Sequence, residues 1–383
     1  MKYTIANKLK STIALTLILV FVNCIGDAQT RSDRPGKDKK KIQLALLLDT
    51  SNSMDGLIEQ AKSQLWSIVN ELAKAKCDNT LPDLQIALYE YGNDNLPMSE
   101  GYIRLVTPLT SDLDEISKDL FELTTNGGDE FCGQVIASSL KRLDWSSSDK
   151  DLKLIFIAGN EPFTQGKINY KTVCTNAKEK GVVVNTIFCG NFDEGIRTAW
   201  KDGAVITGGK YFSIEQNRKT VYIPSPYDDR ITKLNSLLNE TYIPYGHKGR
   251  QKKANQSAQD ANAMSYGAAN TVQRAVSKSS RVYKNKSWDL VDAAEEEEFD
   301  VAEIAEEQLP AEMKGMDDKE KLEFIEKNKA ERNEIQKEIR ELNAKRVQYI
   351  AEHKKENNSE GMLDNAILMA IQEQAKAKNY VIE

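Results

Sequence analysis

Between residues 42 and 246 the sequence alternates short, unbroken apolar runs with segments whose apolar residues recur every three to four positions. Few folds accept that alternation. The run "IQLALLLD" is apolar throughout, as a strand buried on both faces must be, and Leu57, Ile58, Ala61, Leu65, Ile68, Val69 and Leu72 then follow at helical spacing. "LQIALYEYG" and "YIRLVTPL", separated by the turn-rich "NDNLPMSEG", read as an antiparallel hairpin at one sheet edge, and "DLDEISKDLFEL" reads as a helix. "LKLIFIAG", "VVVNTIFCG" and "KYFSI" are further strands, with helical "YKTVCTNAKEKG" and "IRTAWKDG" between them and "YDDRITKLNSLLNETYI" as the last helix. The expected fold class is α/β: a doubly wound, mostly parallel sheet with one antiparallel edge strand, followed by a helical carboxyl-terminal extension.

Open sheets of this kind bind ligands outside the carboxyl ends of their strands, where the strand order reverses. The first strand ends there on "DTSNS". Asp49, Ser51 and Ser53 alternate, so an extended loop turns one carboxylate and two hydroxyls toward one point, and Asn52 between them tolerates a left-handed backbone. Hard oxygens in this arrangement suit magnesium or calcium.

A D-x-S-x-S sequence ending the first strand, then an amphipathic helix and a hairpin, resembles the von Willebrand factor A domain and its metal-ion-dependent adhesion site. The resemblance spans residues 42–246. It implies a threonine from a second loop and an aspartate from a third. The second loop is "TTNGGDEFCG", whose "GGD" is similar to an extracellular variant with aspartate at the threonine position, so the role falls on Asp129, with Thr124 or Thr125 as alternatives. A glycine turn with a capping acid is the structural alternative for that loop. The third loop departs from the family: "TDG" is replaced by "IAGNEPF", leaving the neutral carbonyl oxygen of Asn160, with Glu161 one residue on. The implied metal set is Asp49, Ser51, Ser53, Asp129 and Asn160, against a metal-free loop held by hydrogen bonds. The resemblance further implies adhesion-type binding, in which a partner's acidic side chain completes the coordination shell and a nearby helix shifts.

Nothing in this pattern requires catalysis. A serine hydrolase needs a base beside its nucleophile, yet the two histidines, His247 and His353, fall outside the strand-end loops, and G-x-S-x-G and the phosphate-binding G-x-x-x-x-G-K-[ST] are absent. A metal-dependent hydrolase is the enzymatic alternative. A net charge of −6 over 383 residues supplies no basic field for nucleic acid. The expected partner is a protein; the non-binding alternative is an envelope-assembly component with a vestigial metal loop.

At the amino terminus, Lys2, Lys8 and Lys10 precede an apolar run over residues 13–22, and Gly26 and Ala28 supply small residues for cleavage. An export signal over residues 1–28, with a periplasmic or secreted product, is the primary reading. A lipoprotein anchored in the membrane at Cys24 and an uncleaved anchor are the alternatives. Outside the cytoplasm, Cys77, Cys132, Cys174 and Cys189 could form one or two disulfides or remain buried thiols. No C-x-x-C pair favours structural zinc.

Residues 247–310 read as a polar linker or irregular region, in which Lys248, Arg250, Lys252 and Lys253 and the acidic run 295–298 are solvated. Residues 311–383 read as helical. Asp317 with Glu320 forms a capping box opening a long helix toward Asn357, about 60 Å at 1.5 Å per residue. Its stripe of Ile325, Ile335, Ile339, Leu342 and Tyr349 is interrupted by Arg332 and Arg346, which favours packing on its own chain, as a monomer, over a coiled coil.

Overall fold

The computed structural model describes residues 40–77, 81–218, 222–353 and 363–382. The expected export segment, with Cys24 and Ala28, lies outside the described residues, as does the expected helix end at Asn357. In chain order the elements are β1 (Lys41–Asp49), α1 (Asp55–Leu72), β2 (Ala75–Cys77), β3 (Asp83–Tyr91), β4 (Ile103–Thr110), α2 (Leu113–Phe121), α3 (Cys132–Arg142), β5 (Leu152–Gly159) and α4 (Tyr170–Glu179). Then come β6 (Val183–Phe188), α5 (Phe192–Arg197), α6 (Trp200–Thr207), β7 (Tyr211–Ser213), α7 (Asp228–Glu240), α8 (Gly249–Ser265), α9 (Ala268–Lys278), α10 (Leu290–Ala293), α11 (Asp318–His353), α12 (Leu363–Ala377) and β8 (Tyr380–Ile382).

The main sheet runs β4-β3-β1-β5-β6-β7, with every pairing parallel except β4 against β3. The continuous apolar character of β1 follows from its place: it lies between β3 and β5, and Ile42, Leu44, Ala45, Leu46, Leu47 and Leu48 are all buried. Fully burying one such leucine contributes about 1.5–3 kcal/mol. Alternate β1 residues feed two cores. Leu44, Leu46 and Leu48 pack with residues of α1, α2 and α12, whereas Ala45 and Leu47 pack with residues of α3, α4 and α6. Helix α1 buries the predicted stripe and also Gln60, Gln64, Trp66 and Asn70, because α9 and α12 flank its other sides.

Helix α12 also packs on β5 and β6, and β8 pairs with β2. The carboxyl-terminal region is therefore part of the sheet's own cover. Helix α7, expected as the last helix of the sheet domain, packs on α9 and α11 and buries Ile231, Leu234 and Leu238 in the same core as β1.

The expected linker over 247–310 is corrected: residues 249–278 form α8 and α9, packed on α1 and α2. Few apolar residues mark α8 because polar groups hold it. Lys252 Nζ donates to Asp112 Oδ2 and Glu115 Oε2, each at 2.8 Å, and Ser117 Oγ donates to Gln259 Oε1 at 2.9 Å. Behind them, Arg274 Nε and Lys278 Nζ donate to the two oxygens of Asp260 at 2.8 and 2.9 Å. Arg274 Nη1 lies 2.7 Å from Asp114 Oδ1, an ion pair without hydrogen-bond alignment, while the guanidinium stacks 4.4 Å from the Trp66 ring centroid. Burial pushes Lys278 down to about 8 despite Asp260 beside it. Residues 295–298 are exposed, as expected.

The long helix opens on the predicted capping box, with Glu320 N donating to Asp317 Oδ1 at 2.8 Å and Asp317 N donating to Glu320 Oε2 at 2.9 Å. The two arginines that break its apolar stripe are buried. Arg332 donates to Asp289, Asp292 and Thr241 and lies 4.0 Å from the Tyr242 ring centroid, and Arg346 Nε donates to Asp228 Oδ1 at 2.8 Å. Among the described residues no disulfide joins Cys77, Cys132, Cys174 and Cys189, whose side chains are all buried, as the buried-thiol alternative expects. No described helix is long and apolar enough to cross a membrane.

Candidate metal centre

Asp49 ends β1 at the point where the chain's connections leave toward β3 on one side and β5 on the other. Its side chain is fully buried. Asp49 Oδ1 accepts from Ser51 N at 2.7 Å, which bends the chain out of the strand, and Oδ2 has no partner. Ser51 Oγ and Ser53 Oγ lie 3.2 Å apart, so both hydroxyls turn to one side, but through a 3-10 turn over Asn52–Met54 and not through the expected extended loop.

Two glycines clear the space around this carboxylate. Gly92, at φ +79° just past β3, would place a Cβ 2.7 Å from Glu130 Cγ and 2.9 Å from Asp49 Oδ1. At Gly159, the last residue of β5, a Cβ would come within 2.5 Å of the Tyr91 hydroxyl and 3.0 Å of Asp49 Oδ2. Neither site admits a side chain.

The second loop is pinned to the first: Asn126 N donates to Thr50 O at 3.0 Å, and Gly128 packs so closely on Gly92 that a Cβ would meet its carbonyl oxygen at 2.6 Å. This register puts an acid other than the expected Asp129 beside Asp49. Asp129 is exposed, and Glu130, immediately after it, is buried against Asp49. Glu130 N donates to Gln165 Oε1 at 2.9 Å, which fixes the backbone, and Glu130 Oε2 has no partner. The threonine alternatives do not enter the centre. Thr124 is exposed, with its carbonyl accepting from Asn93 Nδ2 at 2.8 Å, and Thr125 Oγ1 donates to the Asp55 carboxylate.

In the third loop, Asn160 Nδ2 donates to Ser53 Oγ at 3.1 Å while Oδ1 is buried without a partner. Glu161 is exposed, and its backbone carbonyl accepts from Trp200 Nε1 at 2.8 Å. A fourth loop, following β7, also reaches the centre. Gln216 Nε2 donates to Ser53 O at 2.9 Å, and Gln60 Nε2 holds that loop through the carbonyls of Glu215 and Gln216 at 2.7 and 2.9 Å.

Burial, and then the neighbouring Glu130 charge, raise the Asp49 carboxyl well above its usual range. Glu130 is also raised, chiefly by burial. Beneath the pair, burial pushes the Tyr91 phenol and the Cys132 and Cys189 thiols well up, and the Asp49 and Glu130 charges add to it. Two buried carboxylates at close range favour a shared proton or a cation between them.

Among the described residues no three His, Cys, Asp or Glu side chains are grouped to hold a metal ion. A cation here would rely on two carboxylates supplemented by hydroxyl and carboxamide oxygens. The donors fit that demand, since Asp49 Oδ2, Glu130 Oε2 and Asn160 Oδ1 are all oxygens that are buried and unpartnered.

The strand order, the antiparallel strand beside β3 and the D-x-S-x-S loop at the end of the central strand now stand together. The sheet has the topology that the von Willebrand factor A resemblance implies. No family model and no curated protein matches the chain. Solved structures similar to it include BatB from Bacteroides thetaiotaomicron, at 15% identity and TM-score 0.35, covering 45% of this chain and 90% of BatB. The SpRpn10 VWA domain is similar at 15% identity and TM-score 0.35, covering 45% of this chain and 88% of that domain. Proximal thread matrix protein 1 from the mussel byssus, with a zinc-occupied MIDAS motif, is similar at 12% identity and TM-score 0.33, covering 46% of this chain and 42% of that protein. These likenesses are distant.

Proposed function

We propose that this chain is an extracytoplasmic protein-binding module whose A domain uses a divalent cation, magnesium or calcium, to engage an acidic group of a partner. The observation that carries this reading is that Asp49 Oδ2, Glu130 Oε2 and Asn160 Oδ1, from three neighbouring loops, are each buried without a partner. When bound, a divalent cation would supply a Lewis-acidic position able to accept a carboxylate. Asp49 and Glu130 supply its countercharge, Ser51 and Ser53 supply hydroxyl oxygens, and Asn160 adds a neutral oxygen where the family places an acid. Asn126 N on Thr50 O and the Gln216 side-chain amide on Ser53 O clamp these loops to one another. The reading is non-catalytic: His247 contacts Gln308 beyond α7, and His353 ends α11 against the Tyr349 carbonyl.

A metal-free loop is the second reading. It is favoured by the Ser51–Ser53 and Asn160–Ser53 hydrogen bonds and by the upward shift of the buried Asp49 carboxyl, which favours its protonated form. Calorimetric titration of the chain with magnesium, calcium and zinc separates the two. Saturable heat that is lost in Asp49→Ala supports the cation site. No heat and no thermal shift, with Asp49→Ala behaving as the parent does, would defeat it.

A further inference from the structure

Three exposed acids crown the buried centre. Asp94 belongs to the loop after β3, Asp129 to the loop before α3 and Glu161 to the loop after β5. Their places are tied to the site: Asp94 N donates to Gly127 O at 2.5 Å, and a Cβ on Gly127 would lie 3.7 Å from Asp94 Oδ2. Asp94 and Asp129 both bear on Tyr102, whose phenol is raised by desolvation and then by their two charges, and Glu161 bears on Glu130. None of the three has an ion-pair partner among the described residues. The loops that carry them also line the buried, unpartnered oxygens of Asp49 and Glu130: Asp129 precedes Glu130, and Gly92, two residues before Asp94, lies against both carboxylates.

We infer that the partner surface recognised here is an acidic side chain flanked by basic ones. The inference rests on the cation reading above. Once Asp49 and Glu130 are matched by a divalent cation, the inner charges cancel and the field of the mouth is set by the three rim carboxylates. A lone carboxylate approaching the centre meets repulsion from that rim, within one Debye length of about 10 Å at 0.1 M salt. Lysines or arginines beside the carboxylate convert the repulsion into attraction, and an acid flanked by acids is rejected. The rim thus selects among acidic partners that the centre alone would accept equally.

Two synthetic peptides test this, each with one aspartate, flanked by lysines in one and by glutamates in the other. They are titrated into the full chain with saturating magnesium at low salt. The lysine-flanked peptide is expected to bind about tenfold tighter, with the difference collapsing at high salt. The triple variant Asp94→Asn, Asp129→Asn, Glu161→Gln should lose that preference while still binding magnesium saturably, at an affinity lowered only as far as the lost rim charge requires and restored relative to the parent at high salt. Equal affinities, no binding of the lysine-flanked peptide, or a preference that survives in the triple variant would overturn the inference. Absence of magnesium and calcium heat in the parent would instead overturn the cation reading, so the two failures are distinguishable.

Discussion

Glu130 and Asp129 differ by one position, and that position decides which carboxylate faces Asp49. In "GGDE" both acids are legible as candidates, but which side chain turns inward depends on backbone contacts. Gly128 lies against Gly92, and Glu130 N is bound by Gln165, 35 residues downstream. The D-x-S-x-S loop is local and was readable; the second loop needed the fold. The same limit applies to the cysteines, whose even number and expected compartment allow disulfides. In the fold each thiol is buried, and burial pushes Cys174 up to about 12 and Cys132 and Cys189 well above the usual thiol range. The native protein is therefore expected to leave these four thiols unreacted with a thiol-specific reagent and to release them all in denaturant without reductant. Denatured protein that releases them only after reduction would contradict the free-thiol state.

At the scale of elements, the strand and helix alternation was legible because parallel strands buried on both faces must be apolar end to end. The helices of residues 249–278 were not legible, since their burial rests on polar pairs formed across the chain. Helix α11 shows how a residue that spoils one pattern completes another. Arg332 and Arg346 break a coiled-coil seam, yet both sit on the buried face and meet Asp289, Asp292 and Asp228. Burial, and then the Asp289 charge, raise Asp292 to about 6, while Asp289 and Asp292 outweigh desolvation to push Arg332 further up. Arg332→Leu leaves Asp289 and Asp292 buried without a counter-ion and is expected to cost about 3–5 kcal/mol in denaturant unfolding. A loss under about 1 kcal/mol would show that the arginine is not integral to the packing. Because the stripe is spent on its own chain, light scattering is expected to report a monomer; a stable dimer would reopen the coiled-coil alternative.

For the whole molecule, the sheet domain and its helical extension share one polar seam. Asp114 of α2, Asp260 of α8, and Arg274 and Lys278 of α9 meet behind α1. Burial alone would raise Asp260, but the Lys278 and Arg274 charges more than reverse this and hold its carboxyl below the usual range. A depressed native value means that the unfolded chain takes up the proton first as pH falls. The stabilisation is complete above the unfolded value of about 3.9 and is lost below it. The melting temperature is expected to fall steeply below about pH 4, and Asp260→Asn, lower at neutral pH, should show a shallower acid decline. Equal acid slopes in parent and variant would remove Asp260 from that account.

The most direct test of the three-loop centre compares Glu130→Gln with Asp129→Asn in calorimetric titrations with magnesium and calcium. Glu130 as the second inner carboxylate predicts that Glu130→Gln weakens binding at least about tenfold, in line with the loss of one charged ligand, while Asp129→Asn titrates as the parent does. Lost binding in Asp129→Asn with Glu130→Gln unaffected would contradict the assignment of the centre.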